Sequence, residues 1–127
     1  LSGAWSGAKG DVKASRDDYG TKLFELKTRN RSFTSIYNLY EEHISLRKND
    51  LLTCVLPGMS GKLFSLSSSL DAVLEGEIHY EFPNRHPLYE KHQRVYGRFA
   101  TMYKWVQDCD ILVIKDDRRP WLFIKYE

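Results

Sequence analysis

Apolar side chains recur along this chain with two periods, and those periods divide it into elements. Val12 in one run and Leu23, Phe24 and Leu26 in the next flank a Ser-Arg-Asp-Asp-Tyr-Gly stretch at 15–20, which is rich in turn formers, so the segment reads as a β-hairpin. Beyond it, Ile36, Leu39, Tyr40 and Ile44 fall at helical spacing and predict a helix over 35–48, capped by Ser32 or Thr34 and ended by Asn49-Asp50. Residues 51–56 are almost continuously apolar, the mark of a strand covered on both faces, and 57–61 turn the chain into a further strand over 62–66. A short serine-capped helix is expected over 67–74, a loop held by two prolines over 82–87, and a long helix over 88–106 with an interruption at Gly97. A last hairpin pairs 111–115 with 121–126 through a turn at 116–120.

The chain also echoes itself. Phe33-Thr34-Ser35-Ile36-Tyr37-Asn38-Leu39 with Asp50-Leu51-Leu52 matches Phe99-Ala100-Thr101-Met102-Tyr103-Lys104-Trp105 with Asp110-Ile111-Leu112; each copy ends in Leu63-Phe64 or Leu122-Phe123. Such an echo arises from duplication of a helix and hairpin unit, or from two similar solutions to packing a helix on a sheet. Together the elements predict an α/β fold, a central mixed β-sheet flanked by helices. A single domain over 1–127 is expected, its core at about 2–76 and a helix and hairpin extension at about 77–127.

Composition narrows the class. With 127 residues, 42% of them hydrophobic and 13% aromatic, the chain carries enough for one core and is not of disordered type. No apolar run reaches the ~20 residues that a bilayer crossing needs, and no signal-like segment opens the sequence, so a cytoplasmic protein with no membrane partner is expected. Cys54 and Cys109 stand far apart in apolar runs and read as buried free thiols. His43, His79, His86 and His92 lack the spacing of a helical metal pair and read as solvated side chains. Asp116, Asp117, Arg118 and Arg119 read as turn chemistry.

The net charge is only +2, and its distribution says more than its size. Lys9, Lys13, Arg16, Lys22, Lys27, Arg29 and Arg31 crowd the hairpin against four acids, Asp11, Asp17, Asp18 and Glu25. A second basic run at 85–98 holds Lys91 and Arg94 with His86 and His92, opposed by Glu90. Both suit a phosphate backbone, and both are also what an ordinary solvated surface looks like.

Chemistry enters through Asp11, Glu25 and Lys27. In a strand Glu25 and Lys27 share one face while Phe24, Leu26 and Thr28 share the other. Asp11, on the first strand, can bring a second carboxylate to Glu25, and hard oxygens of this kind are what Mg²⁺ prefers, with Mn²⁺ as a substitute. Such an ion lowers the pKa of a bound water and neutralises charge developing on a phosphate. Lys27 is then placed to orient that water, deprotonate it or stabilise the charge. A Glu-x-Lys by itself is more often a solvated strand face. Here a glycine-rich approach, Ser6-Gly7-Ala8-Lys9-Gly10-Asp11, and a cationic exit, Lys27-Thr28-Arg29-Asn30-Arg31, surround it. Trp5 and Phe33 flank the motif as base-stacking or core aromatics.

The run Ser2-Gly3-Ala4-Trp5-Ser6-Gly7-Ala8-Lys9-Gly10-Asp11-Val12, followed by Leu23-Phe24-Glu25-Leu26-Lys27-Thr28, resembles the core of the PD-(D/E)XK nucleases, in particular the small phage and archaeal Holliday junction resolvases. The resemblance covers residues 2–56 and implies a restriction-endonuclease-like core with Mg²⁺-dependent endodeoxyribonuclease activity. It implies a metal held by Asp11, Glu25 and the carbonyl of Leu26, with Lys27 as the catalytic lysine. Lys9, Lys13, Arg29 and Arg31 would hold the DNA backbone, and Ser32 would hydrogen-bond a phosphate. A branched DNA substrate follows from the resemblance alone, and two junction arms imply a two-fold homodimer. The family's further glutamate, on a helix ahead of the glycine-rich segment, has no counterpart in the residues from Leu1 onward. Two other readings stay open: a non-catalytic nucleic-acid-binding module on the same fold, and a protein-interaction subunit presenting Tyr80, Phe82, Tyr89, Tyr96, Tyr103 and Trp105.

Overall fold

A computed structural model describes residues 11–14, 22–47, 50–55, 63–75, 81–82 and 91–126. The elements are β1 (Asp11–Ala14), β2 (Phe24–Arg29), α1 (Thr34–Arg47), β3 (Leu52–Val55), β4 (Leu63–Ser67), α2 (Leu70–Glu75), β5 (Glu81–Phe82), α3 (Gln93–Val106), β6 (Ile111–Asp116) and β7 (Leu122–Tyr126). Among the described residues seven strands form one mixed sheet in the order β1-β2-β6-β7-β4-β3-β5. Helices flank it, so the chain is α/β, as the pattern predicts. β2 runs parallel to β6, and β3 parallel to β5; the other neighbours are antiparallel. The last hairpin, read from sequence as an extension, lies in the middle of the sheet. Its position explains its composition: β6 has neighbours on both edges and cover on both faces, and a doubly covered strand reads as a continuous run such as Ile111-Leu112-Val113-Ile114, all buried.

Two cores sandwich the sheet. On one face α1 and α3 bring Ile36, Leu39, Tyr40, Val95, Phe99 and Met102 onto Leu52, Phe64, Leu66, Leu112, Ile114 and Ile124. On the other α2 covers Phe24, Leu26, Ile111, Val113 and Phe123 with Leu70 and Val73. Burying one side chain of this size is worth about 1.5–3 kcal/mol, so the two layers together outweigh the local propensities of the short strands. The Phe64 and Phe123 ends of the internal echo lie in different cores. Side chains alternate along a strand, so a match that is out by one residue puts its partners on opposite faces.

Polar contacts fix α1 to the strands beneath it. The Tyr37 hydroxyl donates to the Pro120 carbonyl at 2.6 Å with the Ile114 carbonyl 3.2 Å away, and burial pushes its phenol up. Tyr40 donates to the Asp50 carbonyl and its oxygen accepts the Ser68 amide. His43 is fully buried with Nε2 3.1 Å from the Leu51 carbonyl, which corrects its expected place on a solvated flank. It stands seven residues after Ile36, so the helical period carries it to the buried face despite its polarity. His92 pairs with Glu42, which also takes Lys91, and the hydrogen bonds from Lys91 first and then from His92 hold the Glu42 carboxyl below the usual carboxylate range.

Most element boundaries agree with the pattern to within a few residues. α3 runs unbroken through Gly97, where an interruption was expected, and β5 adds a two-residue strand that the two prolines after it had hidden. Ser69 caps α2 by accepting the Ala72 amide, as the serine run predicts. At the start of α1 the Thr34 hydroxyl donates to the Arg31 carbonyl, while the carboxylate of Asp116 takes the Phe33 amide. Cys54 is a buried thiol, pushed up by desolvation; Cys109 is half-buried rather than buried as expected, with its Sγ 3.5 Å from the Trp105 carbonyl. Among the described residues no helix is long and apolar enough to cross a membrane. Trp5, Lys9, His79 and His86 lie outside the described residues.

Candidate functional site

The site begins with alternation along β2. Phe24 and Leu26 enter the α2-side core, so Glu25 and Lys27 turn to the other face, beside Leu112 and Ile114 of β6 in register. That face is the one α1 and α3 cover, and the two charged residues are buried, Glu25 at 8% and Lys27 at 6% exposure. They form an ion pair with Lys27 Nζ 3.8 Å from Glu25 Oε1, beyond hydrogen-bond length. A solvated strand face is therefore excluded for this pair.

The hairpin brings Asp11 into relation with them through the backbone. β1 pairs with β2 so that Asp11 stands opposite Lys27 and Lys13 opposite Glu25. The Asp11 and Glu25 positions are thus diagonal neighbours on adjacent strands, a separation of about 7–8 Å that two carboxylate side chains can share. The side chains of Asp11 and Lys13 are outside the described residues. Leu26 occupies the α2-side core by its side chain while its backbone lies between β1 and β6. The donors the hairpin offers are carboxylate and carbonyl oxygens, which fit a hard cation such as Mg²⁺. Among the described residues no three His, Cys, Asp or Glu side chains converge on a point.

Three further groups reach this face, two of them from distant sequence. Trp105, on α3, places its ring 4.9 Å from Lys27 Nζ and 5.7 Å from the guanidinium carbon of Arg29, within cation–π range of both. Phe33 is buried and meets Trp105 edge to face at 6.3 Å. Asp116 ends β6 opposite Arg29, 2% exposed, with Oδ2 accepting the Phe33 amide at 2.8 Å and Oδ1 without a hydrogen-bond partner among the described residues. Asp116 is therefore more than a turn residue, although its carbonyl also accepts the Arg119 amide that closes the turn.

Arg29 and Arg31 are exposed and Ser32 is half-buried, all at the carboxyl end of β2, where α1 starts. Arg31 holds a positive φ of 67°, which a side chain with a Cβ adopts at a cost of roughly 1–2 kcal/mol. The structure thus gathers Glu25, Lys27, Arg29, Trp105 and Asp116 on one face. Sequence reasoning missed Asp116 as a helix anchor and Trp105 as a neighbour of Lys27, and no local signal marks either. A cavity of about 410 Å³ lies elsewhere, where β6 begins, lined in part by Lys22, Lys125, Glu75 and Asp110. Its two cations and two anions select no charge. No family model, no curated protein and no solved structure matches the chain.

Proposed function

We propose that this chain is a metal-dependent endodeoxyribonuclease of the PD-(D/E)XK type. The observation that carries the reading is the Glu25–Lys27 pair, buried on one face of β2 with the Asp11 position across the hairpin in register. Burying two charges is costly, and a protein keeps such a pair where geometry or chemistry uses it. Asp11, Glu25 and the Leu26 carbonyl would hold Mg²⁺ or Mn²⁺. Such an ion supplies an acidified water and charge neutralisation at a phosphate. Lys27 presents a cation to the negative charge that builds up on the phosphate during in-line attack. Arg29 and Arg31, with Lys9 and Lys13, engage the flanking backbone, and Ser32 adds a hydroxyl at the same end. A branched substrate and a two-fold dimer come from the family resemblance alone.

One observation favours a second reading. Glu25 and Lys27 are so little exposed that a DNA-binding module without cutting activity is the main rival. Cleavage and gel-shift measurements on the same labelled duplex, flap and junction DNAs separate the two. With Mg²⁺ the unaltered chain is expected to cut, and Lys27→Met to bind within about threefold while cutting at least about 100-fold more slowly, as loss of one electrostatic stabiliser predicts. Binding without cutting by the unaltered chain transfers the assignment to the second reading.

A further inference from the structure

We infer that Trp105 is a positioning residue for this centre, holding the Lys27 ammonium and the Arg29 guanidinium in a fixed line along β2; the inference rests on the nuclease reading above. Lys27 and Arg29 sit two residues apart on one strand face, so their backbones are separated by roughly 6.6 Å, close to the spacing of successive phosphates in a strand. Each side chain is long and rotamer-rich, and a lysine in particular is a point charge on a flexible stem that specifies no direction by itself. Trp105 supplies the direction. Its ring lies 4.9 Å from Lys27 Nζ and 5.7 Å from Arg29 Cζ, so one aromatic surface attracts both cations.

The ring is itself held. Phe33 meets it at 89° with centroids 6.3 Å apart, and Trp105 is half-buried against the helix-side core. Phe33 in turn is tied to β6 by the Asp116 carboxylate. A chain of contacts therefore runs from β6 through Phe33 and Trp105 to Lys27, with Glu25 Oε1 3.8 Å from the same ammonium. Of the three duties open to Lys27, stabilising charge on the phosphate fits an ammonium set between an aromatic face and a carboxylate.

Single-turnover cleavage by Trp105→Leu, Trp105→Phe, Lys27→Met and the Trp105→Leu/Lys27→Met double variant tests this. Trp105→Leu is expected to slow the cutting step about tenfold with DNA affinity changed by less than about threefold, and Trp105→Phe, which keeps a cation-binding face, to recover the rate to within about threefold. The double variant should be slower than Lys27→Met by clearly less than the loss that Trp105→Leu causes alone, because residues acting through one another are non-additive. Additive losses, or Trp105→Phe as slow as Trp105→Leu, overturn the inference and leave the nuclease reading standing. No cutting by the unaltered chain overturns that reading, and this inference with it. Independently of any variant, the indole ring current should move the Lys27 Hε protons upfield of the other lysines in an NMR spectrum. Lys27 Hε signals at the ordinary lysine position overturn the inference whatever the variants do.

Discussion

Asp116 carries two structural duties with one side chain and one carbonyl. Its Oδ2 accepts the Phe33 amide at the entrance to α1, and its carbonyl accepts the Arg119 amide in the turn to β7. Removing the carboxylate leaves an orphan amide at a helix start, which typically costs about 1–2 kcal/mol. Urea denaturation should therefore find Asp116→Ala destabilised by that amount, and Asp116→Asn, which keeps an acceptor oxygen, by less than half as much. Equal losses in the two variants would contradict the anchoring role. This contact could not be read from the sequence, because donor and acceptor are 83 residues apart and nothing near Asp116 distinguishes it from Asp117. The opposite holds for Glu25 and Lys27. Their shared face follows from the period of a strand, and only their burial was hidden, since burial depends on what the other elements place above them.

α3 shows where local reading succeeds and where it overreaches. The apolar spacing of Val95, Phe99, Met102 and Val106 is legible, and all four are buried. By propensity Gly97 predicts an interruption, yet the helix passes through it with its carbonyl still accepting the Thr101 hydroxyl. Glycine weakens a helix without breaking it when tertiary packing holds both sides. Gly97 is exposed, and a Cβ built there meets nothing within 4 Å. Gly97→Ala should accordingly raise stability by about 0.5–1 kcal/mol in thermal or urea unfolding, with no change in DNA binding or cutting. A loss of stability would mean that this surface of α3 is covered by something the described residues do not include.

The sheet order joins the ends of the chain. β6 inserts between β2 and β7, so the motif-bearing hairpin has a strand from the last quarter of the sequence as its parallel neighbour. Fold class and most elements were legible because they follow from short-range periodicity. The strand order was not, because parallel pairing is decided by cores that assemble from both halves, and Trp105 and Asp116 reach the site only through that order. The basic groups at the carboxyl end of β2 gain their meaning in the same way, as Arg29 lies beside Trp105 and opposite Asp116. A metal-dependent cutting centre on β1 and β2 is decided by the single-turnover cleavage rate of labelled DNA with Mg²⁺, with Mg²⁺ removed by EDTA, and with Glu25→Gln. Cutting that requires the ion and falls at least about 100-fold in Glu25→Gln, with folding intact by circular dichroism, is the predicted result. Cutting that persists in EDTA, or in Glu25→Gln at the unaltered rate, would contradict it.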